Sequence, residues 1–217
     1  PLINTSAIGY GTMNWDWNFA NQGTSTAKDP SFTFAGFGQF DVELVATSNF
    51  GCKDTINRQV TVHPEPTASF TVDPVCIGEE SQFVNTSSVA TGALVEYFWD
   101  FGDTTFSGLK DPSHTYAEPN VAGYPVTLRI KTDQGCEDEV AGVAVVQPLP
   151  DVQLTANGAT EFCFGDSVNL SANANARTYE WTYSDGSSTS GVDNIWASKT
   201  GWHKVRITAP PIGCANE

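Results

Sequence analysis

Two stretches of this chain carry the same string at a constant spacing. Residues 17–34 read WNFANQGTSTAKDPSFTF and residues 99–116 read WDFGDTTFSGLKDPSHTY. Trp17 matches Trp99, and Lys28-Asp29-Pro30-Ser31 matches Lys110-Asp111-Pro112-Ser113, each 82 residues apart. A fixed period of that length means tandem copies of one small domain, not a single large fold. A third, diverged copy follows. Cys163-Phe164-Gly165 echoes Cys76-Ile77-Gly78, Trp181 takes the place of Trp99, and Gly213-Cys214 repeats Gly51-Cys52 and Gly135-Cys136. The Trp-to-Cys intervals are 35, 37 and 33 residues. The expected domains are therefore 1–65, 66–149 and 150–217. The joints at 63–66 (HPEP) and 147–150 (QPLP) are proline-rich and semi-rigid. In this register the first strand of the first copy lies upstream of residue 1, and the third copy lacks its last strand.

The second copy shows the expected strands most clearly. Residues 68–72 (ASFTV) and 124–131 (YPVTLRIK) alternate apolar and polar, as half-buried strands do. Further strands are expected at 82–86, 95–101, 113–116 and 139–146, with turns at Cys76-Ile77-Gly78, Gly102-Asp103-Thr104 and Asp133-Gln134-Gly135. No segment carries a long helical apolar stripe. About seven short strands per copy predict an all-β chain of tandem immunoglobulin-like antiparallel sandwiches. Trp99, on a central strand, is the expected core anchor. Asp100 and Asp103 flank Gly102 at a strand end, where carboxylates accept turn N–H groups. Tyr124 follows Gly123 at the place of a tyrosine corner.

The strings WDFGD (99–103), DPSHTY (111–116) and GYPVTL (123–128) resemble the signature of PKD domains, immunoglobulin-like modules common in bacterial surface proteins. Its structural positions here are Trp17, Trp99, Asp100, Gly102, Asp103, Tyr116, Tyr124 and Trp181. The resemblance is close over 67–149, weaker over 1–66, where WNFAN replaces WDFGD, and general over 151–217. Together with the recurring CxG and GC elements, it is similar to tandem adhesin repeats of Bacteroidota. Those occur in giant cell-surface and gliding-motility proteins exported by the type 9 secretion system. The resemblance implies an extracellular, surface-attached stalk or adhesion array. Its partners would be neighbouring repeats and surface polysaccharide or protein ligands. It also implies O-glycosylation at Asp-Ser/Thr motifs, with Thr55, Thr104 and Ser167 as candidates.

The five cysteines fall into two registers, 52, 136 and 214 in one and 76 and 163 in the other. Recurrence in register suggests disulfides and an oxidising exterior. Two pairings fit. Within domains, Cys76 would join Cys136 and Cys163 would join Cys214, leaving Cys52. Across a domain junction, Cys76 would join Cys214, leaving Cys52, Cys136 and Cys163. The first turn and last turn of a sandwich lie at opposite ends of strands spanning ~20 Å or more. Disulfide Cα atoms lie within about 7 Å. That mismatch favours the junctional version.

Catalytic patterns are absent from the sequence. His63, His114 and His203 have no second histidine or carboxylate at ligand spacing, and no GxSxG, HExxH or phosphate-binding loop occurs. The formal net charge of −15 disfavours nucleic acid and anionic membranes. No apolar run is long enough for a spanning helix. No cofactor is expected. Calcium is the one metal considered, with Asp100, Asp103 and Asp111 as candidate ligands. The expected function is a non-catalytic structural or adhesive segment of a large secreted surface protein. The alternative is a carbohydrate-binding or spacer module of a secreted polysaccharide-degrading enzyme. For that alternative, Trp15, Trp196 and Trp202 lie outside the repeat's core positions and are candidate sugar-stacking rings.

Overall fold

A computed structural model of the chain describes residues 2–173, 178–198 and 200–216, and every regular element among them is a β-strand. Contacts divide the chain into two compact units. One holds residues 1–68, 87–96 and 129–139; the other holds 69–86, 97–128 and 140–217.

The first four strands are β1 (Met13–Phe19), β2 (Thr24–Ser25), β3 (Gly38–Ser48) and β4 (Lys53–Val62). They form one sheet in the order β2-β1-β3-β4. Alternation along β1 puts Trp15, Trp17 and Phe19 on one face. Register sets Trp17 opposite Leu44 and Phe19 opposite Val42. Those four residues form the buried core, covered by Leu2, Trp15, Phe32, Phe34 and Val60. Trp15 is therefore not the free ring that the sequence suggested. It shares the inward parity of Trp17 and Phe19.

Eight strands follow: β5 (Phe70–Val72), β6 (Val75–Cys76), β7 (Ser81–Asn85), β8 (Leu94–Asp100), β9 (Phe106–Ser107), β10 (Ser113–His114), β11 (Asn120–Thr132) and β12 (Glu137–Gln147). Their sheets run β10-β7-β5 and β6-β12-β11-β8-β9. Phe70 and Phe83 pack on the fully buried Trp99, Phe70 edge-on at 5.1 Å, and Phe83 in turn meets Phe101 at 5.0 Å. Such edge-to-face aromatic packing adds to simple area burial. Gly142 has no side chain because the Phe70 ring fills that space, 2.6 Å from where a Cβ would sit. One local expectation changes. Cys76 does not open a bare turn; it ends the short strand β6, which pairs in parallel with β12 through Val75 and Val146. The turn starts after it, with the Glu79 N–H donating to the Cys76 carbonyl at 3.0 Å.

The remaining strands are β13 (Leu154–Asn157), β14 (Val168–Ala172), β15 (Thr178–Tyr183), β16 (Ser188–Ser190), β17 (Asn194–Ala197), β18 (His203–Ala209) and β19 (Cys214–Asn216). They make sheets β13-β14-β17 and β16-β15-β18-β19 around a core centred on Trp181, Ile207 and Leu170. Where the sequence left no room for a closing strand, Cys214–Asn216 pairs with β18.

Candidate functional site

The repeated string has a structural cause that is the same in each copy. Trp99 donates its indole Nε1–H to the Leu109 carbonyl at 2.9 Å, and Trp17 donates to Ala27 at 3.0 Å. Trp181 does the same to Val192 at 2.9 Å. The buried indole thus meets the demand for a partner that its N–H imposes. The repeated Lys-Asp-Pro-Ser supplies a second tie. Asp111 Oδ1 accepts the Asn85 backbone N–H at 2.8 Å, and Asp29 Oδ1 accepts that of Asn4 at 2.8 Å. Pro112 and Pro30 then accept from Phe83 and Leu2, both at 2.9 Å.

Beyond the tryptophan, each of the first two copies carries a stack of four rings. In the first it is Phe19, Phe32, Phe34 and Phe40, with centroids 4.3, 5.1 and 4.5 Å apart and the middle contact edge-on. In the second it is Phe101, His114, Tyr116 and Tyr124, at 4.4, 4.5 and 4.1 Å with the same middle geometry. The second stack is polar and tied down. Tyr116 donates to the Phe101 carbonyl at 3.1 Å. Tyr124 donates to Glu118, six residues upstream, at 2.9 Å, as a tyrosine corner does. Burial pushes the Tyr116 phenol above its ordinary value, with the nearby Asp103 charge adding to the effect.

Asp103 holds the second ring of this stack, His114. Its Oδ2 lies 2.7 Å from His114 Nε2. A carboxylate only accepts, so Nε2 carries the proton. Oδ1 accepts the Thr105 backbone N–H at 3.1 Å and the Thr105 hydroxyl. Burial pushes the Asp103 carboxyl up, but the hydrogen bonds from Thr105 and His114 outweigh it and hold the group below its ordinary range. The sequence showed no carboxylate at ligand spacing from His114, because the pair forms between the β8–β9 turn and β10, eleven residues apart. Gly102 makes the turn possible. Its φ is +76°, and a Cβ there would lie 2.3 Å from the Pro125 carbonyl oxygen. Asp100 Oδ1 accepts the Gly102 N–H at 2.9 Å. Asp100, Asp103 and Asp111 are thus each engaged with separate backbone groups. Among the described residues no group of three or more His, Cys, Asp or Glu side chains converges as a metal site.

A disulfide joins Cys76 to Cys214, with Cα atoms 5.6 Å apart and a sequence separation of 138. The within-domain pairings of Cys76 with Cys136 and of Cys163 with Cys214 do not form. Cys52, Cys136 and Cys163 are free thiols. The hydroxyl-bearing candidates Thr55, Thr104 and Ser167 are all exposed. Of the candidate sugar-stacking rings, Trp196 is 68% exposed and Trp202 53%, with Lys204 Nζ lying 6.0 Å from the Trp202 ring.

The chain is similar in part to known proteins. A pre-pro-metalloprotease, PrtV, of Vibrio cholerae is 24% identical over 134 residues, which is 61% of this chain. The chain spans only 14% of that relative's length. The crystal structure of the PKD1 domain of Vibrio anguillarum Epp is 26% identical, covering 40% of this chain and 99% of that domain, with a TM-score of 0.37. The PKD1 domain from the Vibrio cholerae metalloprotease PrtV is 28% identical with the same coverages and a TM-score of 0.33. From the first proline-rich joint to the end of β12, residues 63–147 match the family model of the PKD domain.

Proposed function

We propose that this chain is a non-catalytic, load-bearing segment of a large secreted surface protein, a stalk or adhesion array whose immediate partners are neighbouring repeats of the same chain. The observation that carries this reading is the Cys76–Cys214 disulfide. It closes a loop that begins at the end of β6, in the middle repeat, and ends at the start of β19, in the third. A bond at that position takes tension before any enclosed strand does. The loop is also long. In the chain-entropy account, cross-linking a loop of this length stabilises the folded state by roughly 5 kcal/mol. In the same register, Cys52, Cys136 and Cys163 would meet cysteines of further repeats. The match of residues 63–147 to a PKD domain supports a non-catalytic module. An origin in a gliding-motility adhesin exported by the type 9 system, surface O-glycans at Thr55, Thr104 and Ser167, and calcium at Asp100, Asp103 or Asp111 are finer readings of the same proposal.

A second reading is favoured by one observation. A curated relative is a metalloprotease of which this chain spans a small part. An accessory module of a secreted degradative enzyme, spacing its catalytic part or attaching it to a polysaccharide, fits that similarity.

Single-molecule extension tests the load-bearing reading. The oxidised chain is expected to extend less than the reduced chain by roughly 450–500 Å, at ~3.3–3.6 Å for each enclosed residue. Equal extension in both states would remove the basis for the proposal.

A further inference from the structure

The third repeat lacks the ring stack that plugs the other two, and a pocket stands beside the gap. The registers locate two of the missing rings. In the second repeat His114 lies opposite Ser81, five residues after Cys76. In the third, Ala197 lies opposite Val168, five residues after Cys163. Ala197 therefore stands where His114 stands. The last ring is missing too. In the first repeat Phe40 lies two residues before Val42, which pairs with Phe19. In the third, Gly201 lies two residues before His203, which pairs with Tyr183. Gly201 takes the position of Phe40, and a Cβ there would come within 2.2 Å of Ser184 Oγ, so no ring fits.

Beside the Ala197 position lies a cavity of about 190 Å³ whose lining includes Tyr183, Asp185, Ser187, Trp196, Ser198 and His203, while Gly201 lies on the wall of a neighbouring cavity. Its parts are held in place. Asp185 Oδ1 accepts the Ser187 N–H at 3.0 Å, in the same turn geometry as Asp103 with Thr105. Tyr183 and His203 meet edge-on at 5.5 Å across the strand pair. Trp196, on the outward face of β17, exposes most of its ring. The core does not require a tryptophan there, since the matching position of the second repeat is Ser113.

From this arrangement we infer that the pocket binds one neutral pyranose unit of a polysaccharide. An exposed indole offers a flat apolar surface to the C–H face of a sugar ring. A carboxylate, an imidazole and serine hydroxyls beside it suit the ring's hydroxyl groups. The volume lies below the ~300–1,000 Å³ typical of sites for larger organic ligands, so a single ring fits and the rest of a glycan would lie outside. The formal charge of −15 disfavours uronic acids and sulfated sugars. This inference goes beyond the load-bearing role, which neither needs it nor excludes it.

The test is an NMR titration of the whole oxidised chain, following the Trp196 indole N–H. The probes are methyl glycosides of glucose, mannose and galactose, and N-acetylglucosamine, with glucuronic acid as the charged comparison. At least one neutral sugar is expected to shift the Trp196 signal saturably. Trp196→Ala should weaken that sugar's binding more than tenfold, measured on the Tyr183 and His203 signals, and Asp185→Asn should weaken it severalfold. Trp202→Ala, outside the cavity wall, should leave it unchanged. No response to any neutral sugar, binding of glucuronic acid alone, or unaltered binding by Trp196→Ala would each overturn the inference.

Discussion

The first and second repeats solve the same packing problem with opposite chemistry. Both lay four rings end to end beside a buried tryptophan, with nearly matching centroid distances. The first uses phenylalanine throughout. The second replaces three of the four rings with histidine and two tyrosines, and anchors them with Asp103, a main-chain carbonyl and a tyrosine corner. The geometry therefore belongs to the fold and the polarity to the individual copy. An apolar stack needs only volume. A polar stack must satisfy every buried donor, and in return fixes a single arrangement of rings. The turn beside each stack differs in residue choice. The second repeat bends through Gly102 at φ +76° and Thr104 at +74°, whereas the first puts two side-chain-bearing residues in this region, Ala20 at +52° and Asn21 at +62°, where side chains cost energy.

Substitutions and conditions that make one repeat resemble the other test this contrast. The largest expected effect is on the shared skeleton. Trp99→Ala should cost about 3–5 kcal/mol, enough to unfold the second repeat's core selectively in a denaturant titration. Trp17→Ala should cost less, because Trp17 retains 7% exposure and Trp99 none. Next comes the tie that both repeats share. Asp111→Ala and Asp29→Ala each strand one backbone N–H, and each should cost roughly 1–3 kcal/mol in its own repeat. Unequal costs would break the equivalence of the two copies.

Asp103→Asn gives the second repeat the residue that the first carries as Asn21. Asp103 ionises more readily in the folded chain than in the unfolded one. Its contribution is therefore present above its unfolded pKa of ~3.9 and lost as pH falls through the lower folded value. The variant should be about 1–2 kcal/mol less stable at neutral pH, with the gap closing below pH ~4. A gap independent of pH would contradict the ionic anchor. The smallest effect is a gain. Ala20→Gly should stabilise the first repeat by up to ~1 kcal/mol in thermal unfolding, since glycine adopts that φ freely.

How far the sequence reached depends on whether a feature recurs along the chain. The strand pattern, the Trp anchors and the repeated Lys-Asp-Pro-Ser were legible because they return with the period of the repeat or of the strand. The His114–Asp103 pair was not, because a search along the chain for ligand spacing overlooks groups that the fold brings side by side. Trp15 shows a signal that was present and unused. Its parity with Trp17 and Phe19 already placed it on the core face. The third repeat shows the reverse. A constant offset of 82 sets Trp196 against His114, but the strand register matches His114 with Ala197. A slip of one residue exchanges the two faces of a strand, so the gap in the stack and the exposed ring beside it emerge only from pairing. The cysteines lie between these cases. Their registers were readable, yet the pairing rested on which ends of neighbouring sandwiches meet.

Non-reducing proteolysis with mass spectrometry of the native chain tests the central claim most directly. The account predicts a linked peptide pair containing Cys76 and Cys214, with Cys52, Cys136 and Cys163 open to alkylation. A linked pair containing Cys76 and Cys136 would contradict it.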